Sequence, residues 1–216
     1  MTQAAVITNT IFIPEQNMQT ALMFIKGKSP LICDRIPPDI ESGKGPVTAE
    51  KGRKKQEAPD PDKLFRAALY VRDEPIVTDV LPDDHPDKYG FPAKGFKKSI
   101  VKATTLINNA VKVLPQTLAR MIFVVEGDLI PLEFPKDKPP HLRVDTPRNA
   151  RGQIVTKYRA QFDEWSAMVP VTYNADRITS EMTVNLFSMA GESVGVGCRR
   201  PENGDSFGRW TIEKVG

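Results

Sequence analysis

From Trp165 to Tyr173 every second residue of "EWSAMVPVTYN" is apolar: Trp165, Ala167, Val169, Val171 and Tyr173. A period of two places all five on one face of a strand, which a helix cannot do. Pro170 brings no N–H to a ladder, so an edge position or a bulge is expected there. The pattern then changes. "TSEMTVNLFSMAGESVG" reads as an amphipathic helix capped by Thr179 or Ser180, and "GRWTIEKV" reads as a closing strand.

Upstream, Phe96, Ile100, Ala103, Ile107, Ala110 and Val111 step by three or four through "GFKKSIVKATTLINNAVKV". That stripe predicts a helix stopped by Pro115. "ARMIFVVEG" reads as a short central strand, and two earlier strands are expected over 5–13 and 19–27. "PDKLFRAALYV" predicts a short helix with Asp60 or Asp62 as cap. Residues 37–62 hold almost no large apolar side chains and are expected to form a mobile insertion. Residues 72–90 have loop-like composition. Residues 127–158, with Pro131, Pro135, Pro139, Pro140 and Pro147, are expected to form a projecting hairpin or extended loop. From residue 19, without insertions, the order is β-α-β-β-α-β. This predicts an α+β, ferredoxin-like (RRM-like) core with two long loop insertions, in a single domain over 1–216.

At 216 residues, 40% hydrophobic and 26% charged, the chain has a globular composition and can build one sizeable core. A net charge of +3 neither requires nor excludes nucleic acid, so local placement of charge must decide. Cys33 and Cys198 lie far apart in sequence without a CxxC, which argues against a disulfide framework and for a reducing compartment. No apolar run approaches the ~18 residues of a membrane span. A cytoplasmic location without membrane partners is expected. His85 and His141 sit in proline-rich loops without a nucleophile or ligand spacing, and no Walker loop or GxSxG is present. No catalytic residue, metal or cofactor is expected.

Charge is placed unevenly. "GVGCRRPENGDSFGRW" carries Gly195, Gly197, Gly204 and Gly208 beside Arg199, Arg200 and Arg209. It joins a helix to a strand, where roughly 2–6 residues usually suffice. Glycines permit positive φ and close approach, so amides can face phosphates, and the arginines would add charge-assisted bonds. A long connector with solvated arginines is the plain alternative. Lys94, Lys97 and Lys98 stand at the start of the first predicted core helix. Cations there oppose the helix dipole unless an anion is bound; an ordinary solvated face is the alternative. In "TPRNARGQIVTKYR" no acid interrupts Arg148, Arg151 and Lys157, so a basic arm and a solvated loop fit equally. Phe207, Trp210 and Tyr158 are available for base stacking.

Two motifs resemble the RAMP superfamily, the repeat-associated proteins that form the RNA-binding backbone of CRISPR effector complexes. Gly195, Gly197, Gly204 and Gly208, followed by Arg209 and Trp210, resemble that family's glycine-rich loop, with Phe207 as its aromatic. "GFPAKGFKK" is similar to its first-helix motif at Pro92, Phe96 and Lys97, and departs from it at Ala93, Lys94 and Gly95. "IKGKSPLICDR" and "EWSAMVPVTYN" also resemble uncharacterised bacteriophage and prophage proteins, which would place the chain in a host cytoplasm.

The RAMP resemblance implies a ferredoxin-like fold and binding of single-stranded RNA or DNA, with copies lined up along the strand or joined in a larger complex. It offers Asp34 as an RNA-cleaving aspartate, but the neighbours of Asp34 match no family motif. The expected function is non-catalytic binding of single-stranded nucleic acid through Lys94, Lys97, Lys98, Arg148, Arg151, Lys157, Arg199, Arg200, Arg209, Phe207 and the loop glycines. The alternative is a protein-interaction module, a phage inhibitor or assembly factor on the same fold.

Overall fold

A computed structural model of the chain describes residues 15–35, 60–72, 88–107, 114–148, 152 and 154–216. The strand expected over 5–13, residues 37–59 of the insertion expected over 37–62, and Arg151 lie outside the described residues; residues 60–62 are the cap and first turn of a helix rather than part of a mobile loop. The strands are β1 Met18–Gly27, β2 Leu31–Cys33, β3 Gly90–Pro92, β4 Phe123–Val125, β5 Leu129–Pro131, β6 His141–Asp145, β7 Lys157–Phe162, β8 Ser166–Asn174 and β9 Trp210–Val215. The α-helices are α1 Pro61–Ala68, α2 Ala93–Ala103, α3 Gln116–Ile122 and α4 Ser180–Met189.

The molecule is α+β with antiparallel sheets. The main sheet runs β4-β8-β1-β9, and every neighbouring pair in it is antiparallel. A three-stranded sheet runs β2-β7-β6, and β3 pairs with β5. Alternation works as the sequence predicts: Trp165, Ala167, Val169, Val171 and Tyr173 are all buried, as are Ala21, Met23 and Ile25 on β1. On that face α2 and α4 close the core, with Phe96 and Phe187 each against the fully buried Trp210. Burial of a large apolar side chain contributes ~1.5–3 kcal/mol, so this layer dominates the stability. Trp210 is therefore core, which removes it from the stacking candidates.

Pro170 sits in an interior strand, yet its missing N–H costs no ladder bond. It lies opposite Leu22, whose N–H and C=O both bond to Gly216 on the β9 side. The Leu22–Pro170 pair is thus non-hydrogen-bonded, and the proline nitrogen faces the other flank. On that flank β4 ends with Val125 opposite Val171, and the next pairing is Glu133 with Ser166. The proline fills the break between them.

Three elements differ from expectation. The stripe in α2 stops at Ala103 and passes into a 3₁₀ turn over Thr104–Leu106. There the Thr104 and Thr105 hydroxyls donate to the carbonyls of Val101 and Lys102, a local alternative to further helix. Ala110 and Val111 lie outside the described residues. Pro115 caps α3 rather than only ending α2, so Ala119–Ile122 are helical and the strand, expected to be central, shortens to β4 at the edge of the main sheet. The segment over 127–158 contributes β5 and β6, and it buries Ile130, Leu132 and Phe134 in the core. Apolar residues at those three places anchor what its prolines suggest would project. As expected, Asp60 caps α1 by accepting from the Asp62 amide, and Thr179 caps α4 by accepting from the Met182 amide.

Candidate nucleic-acid interface

The start of α2 and the glycine-rich loop, about a hundred residues apart in sequence, form the two walls of one pocket of about 230 Å³. Pro92, Lys94, Gly95 and Lys98 come from the helix side; Gly195, Gly197, Cys198 and Arg200 come from the loop. Ile32, Asp34, Tyr70 and Phe91 close it. Lys94 and Lys98 are one turn apart and exposed, and neither has an ion pair among the described residues. The helix begins after Pro92 without a side-chain cap or an acid in its first turn, and its first amide, Ala93 N–H, donates to Asp128 O at 3.0 Å. Lys97 is half-exposed and does not line the pocket.

The loop is held tightly from within. Val196 N–H bonds to Gly208 O, Cys198 N–H to Ile32 O, Phe207 N–H to Arg199 O and Gly208 N–H to Pro30 O. The Arg209 amide donates to Ser29 Oγ. These amides are spent within the loop or on the body of the protein and do not point at an anion. The glycines serve approach instead. A Cβ on Gly208 would stand 1.8 Å from Val196 O, and one on Gly197 would stand 2.6 Å from Ile32 O.

Each loop arginine has a carboxylate partner. Arg199 donates to Asp145 at 2.9 Å and to Asp205 at 3.1 Å. It does so from a left-handed backbone, φ 56°, which is uncommon for a side-chain-bearing residue. Arg200 reaches Glu202 through Nε and Nη2 at 2.9 and 2.6 Å. Arg209 pairs with Glu192, which also accepts from Lys28 at 2.9 Å. Phe207 lies between guanidinium groups, with Arg143 4.7 Å and Arg199 5.6 Å from its ring centre.

Behind the loop lies a network that sequence reasoning missed. Asp145, at the end of β6, accepts from Arg143, Arg159 and Arg199 at 3.0, 2.7 and 2.9 Å. Arg159 donates onward to Asp34 at 2.9 Å. Burial acts to raise the Asp145 carboxyl pKa, but hydrogen bonds from Arg159 and Arg143 and the charges of Arg143 and Arg199 outweigh it and hold it below the usual range. Arg159 is likewise opposed by burial and raised by its two carboxylates. Asp34, bound by Arg159 and approached by the Cys198 thiol at 3.8 Å, is an anchor of this network.

Arg148 donates to Gly152 O, and Lys157 is exposed at the start of β7; neither lines the pocket. Tyr158 is half-buried on β7. Among the described residues no group of His, Cys, Asp and Glu could hold a metal ion. No described helix is long and apolar enough to cross a membrane.

No family model matches the chain, and no curated protein matches it. Among solved structures it is similar to the crystal structure of Cmr6 from Pyrococcus furiosus, with a TM-score of 0.44 and 11% sequence identity. That superposition covers 92% of this chain and 100% of the other.

Proposed function

We propose that the chain is a non-catalytic protein that binds single-stranded nucleic acid where α2 meets the glycine-rich loop, alone or as a subunit of a larger assembly. The observation that carries this reading is the pocket itself, in which Lys94 and Lys98 have no ion pair among the described residues while the loop arginines Arg199, Arg200 and Arg209 each have a carboxylate partner. Two ammonium groups beside a helix start without a side-chain cap are suited to phosphates, which position a strand without reading its sequence. Phe207, with its two arginines, does not line the pocket and offers a separate stacking surface. The resemblance of both pocket walls to RAMP motifs points the same way. A ferredoxin-like core is supported by the main-sheet order: in chain order, its first to fourth strands lie second-third-first-fourth, with α2 and α4 in the two crossovers.

The test is equilibrium binding to labelled single-stranded DNA and RNA across a salt series. Lys94→Ala with Lys98→Ala should lower the log–log salt slope by about 1.4, since each single-strand phosphate contact contributes ~0.7. Undetectable binding of both nucleic acids at low salt overturns the reading. The paired state of Arg199, Arg200 and Arg209 favours the second reading, a protein-interaction module, because a loop locked by ion pairs offers fixed shape more than charge.

A further inference from the structure

The main sheet has one face under α2 and α4 and a second face that bears no helix among the described residues. Side chains that alternate away from the core on the central strands are Thr20, Leu22, Phe24 and Lys26 of β1, and Met168 and Pro170 of β8. Val124 of β4 continues the row past Thr172. Met168 is 45% and Val124 40% exposed, although each belongs to an ordered strand. A contiguous apolar strip of this kind marks an interaction surface.

The charge across this face is asymmetric. On the β4 flank Glu126 reaches over it, accepting from Thr172 Oγ1 at 3.0 Å, and Glu133 pairs with Ser166 further along. On the β9 flank Lys214 lies opposite Phe24, its ammonium 5.8 Å from the ring centre, and Lys26 is exposed beside it. Glu213, the extra residue where the β1–β9 register shifts, is the acid on that side. Acid on one flank, base on the other and an apolar strip between them make a pattern complementary to itself when turned over.

We propose that this face packs against the same face of a second copy, around a two-fold axis parallel to the strands. That axis exchanges the β4 and β9 flanks, so Glu126 of each copy meets Lys214 of its partner, while Leu22, Phe24, Met168 and Pro170 meet at the centre. An in-plane axis across the strands would stack acid on acid, which selects the first arrangement. Two sheets so placed form an aligned sandwich about 10 Å apart. Four strands spaced ~4.8 Å and six residues at ~3.3 Å give a face of roughly 19 by 20 Å. That is small for a specific interface, so the dimer dissociates on dilution. The inference is independent of nucleic-acid binding, which uses other surfaces.

Sedimentation equilibrium over a wide concentration range is the test, with circular dichroism to check folding. Wild type should dimerise in the micromolar range, and exposed Met168→Glu should abolish association. Lys214→Glu and Glu126→Lys should each raise the dimer Kd about tenfold, and the double charge swap should return it towards wild type. A wild type that stays monomeric to about 100 µM overturns the proposal and leaves the face to another occupant. So does a dimer indifferent to Met168→Glu, or one in which the double swap fails to recover.

Discussion

Arg159 Nη1 donates to Asp145 Oδ2 at 2.7 Å, joining β7 to the end of β6 beneath the glycine-rich loop. Because Asp145 also holds Arg143 and Arg199, its removal leaves three guanidinium groups short of a partner. Asp145→Asn is expected to cost about 2–3 kcal/mol, read as a lower urea midpoint. The folded carboxyl titrates below its unfolded value of about 3.9. Its contribution is therefore complete above that pH and is lost as pH falls through the lower folded value. The gap in melting temperature between wild type and Asp145→Asn should hold from pH 7 to about 5 and close in stronger acid. A gap constant down to pH 2 would refute the assignment.

Two loop glycines with similar backbones should respond very differently to alanine. Gly208 has φ 66° and a Cβ there would overlap Val196 O, whereas Gly204 has φ 87° and open space around it. Gly204→Ala should cost about 1 kcal/mol, the penalty of the left-handed region alone. Gly208→Ala should cost about 3 kcal/mol or more, because backbone must move. Equal losses by thermal or urea unfolding would contradict the packing described.

Both thiols should be slow. Burial, then the neighbouring Cys198 and Asp34, push the Cys33 thiol far up, and burial with Asp34 raises Cys198 despite Arg159 and Arg200. At pH 8 an aromatic disulfide reagent should modify the native protein at least about tenfold more slowly than a free thiol. In denaturant both cysteines should react at once. Native Cys198 reacting at the free-thiol rate would sink this prediction.

Thr179 Oγ1 accepts from the Met182 amide and so satisfies one of the free donors at the start of α4. Thr179→Ala should lower stability by about 1 kcal/mol, and Thr179→Ser should recover most of it. A urea titration with unchanged slope is the measurement.

The parts legible in the sequence are those governed by local period. The alternation from Trp165 to Tyr173 reappears as one buried face, and Thr179 and Asp60 cap the helices they precede. Failure came where local groups compete: Thr104 and Thr105 fall inside the predicted helix, yet their hydroxyls end α2. The loop arginines could not be judged free or paired, because the acids that claim Arg199 and Arg209 include Asp145 and Glu192, which lie outside the loop. Asp145 was invisible for the same reason, its three arginines coming from β6, β7 and the loop. The excess of arginine in those segments was the signal available, and it pointed to a ligand as readily as to an internal partner.

Pro170 also acts as an alignment mark for β8. Sliding β8 by one residue against β1 would turn the proline nitrogen towards a carbonyl it cannot answer, and would rotate Trp165, Ala167, Val169, Val171 and Tyr173 into water. Prolonging β4 past Val125 would require a donor that Pro170 lacks, so the chain must leave the sheet there and return at Glu133. A single imino acid thereby rejects two misfolded pairings during assembly.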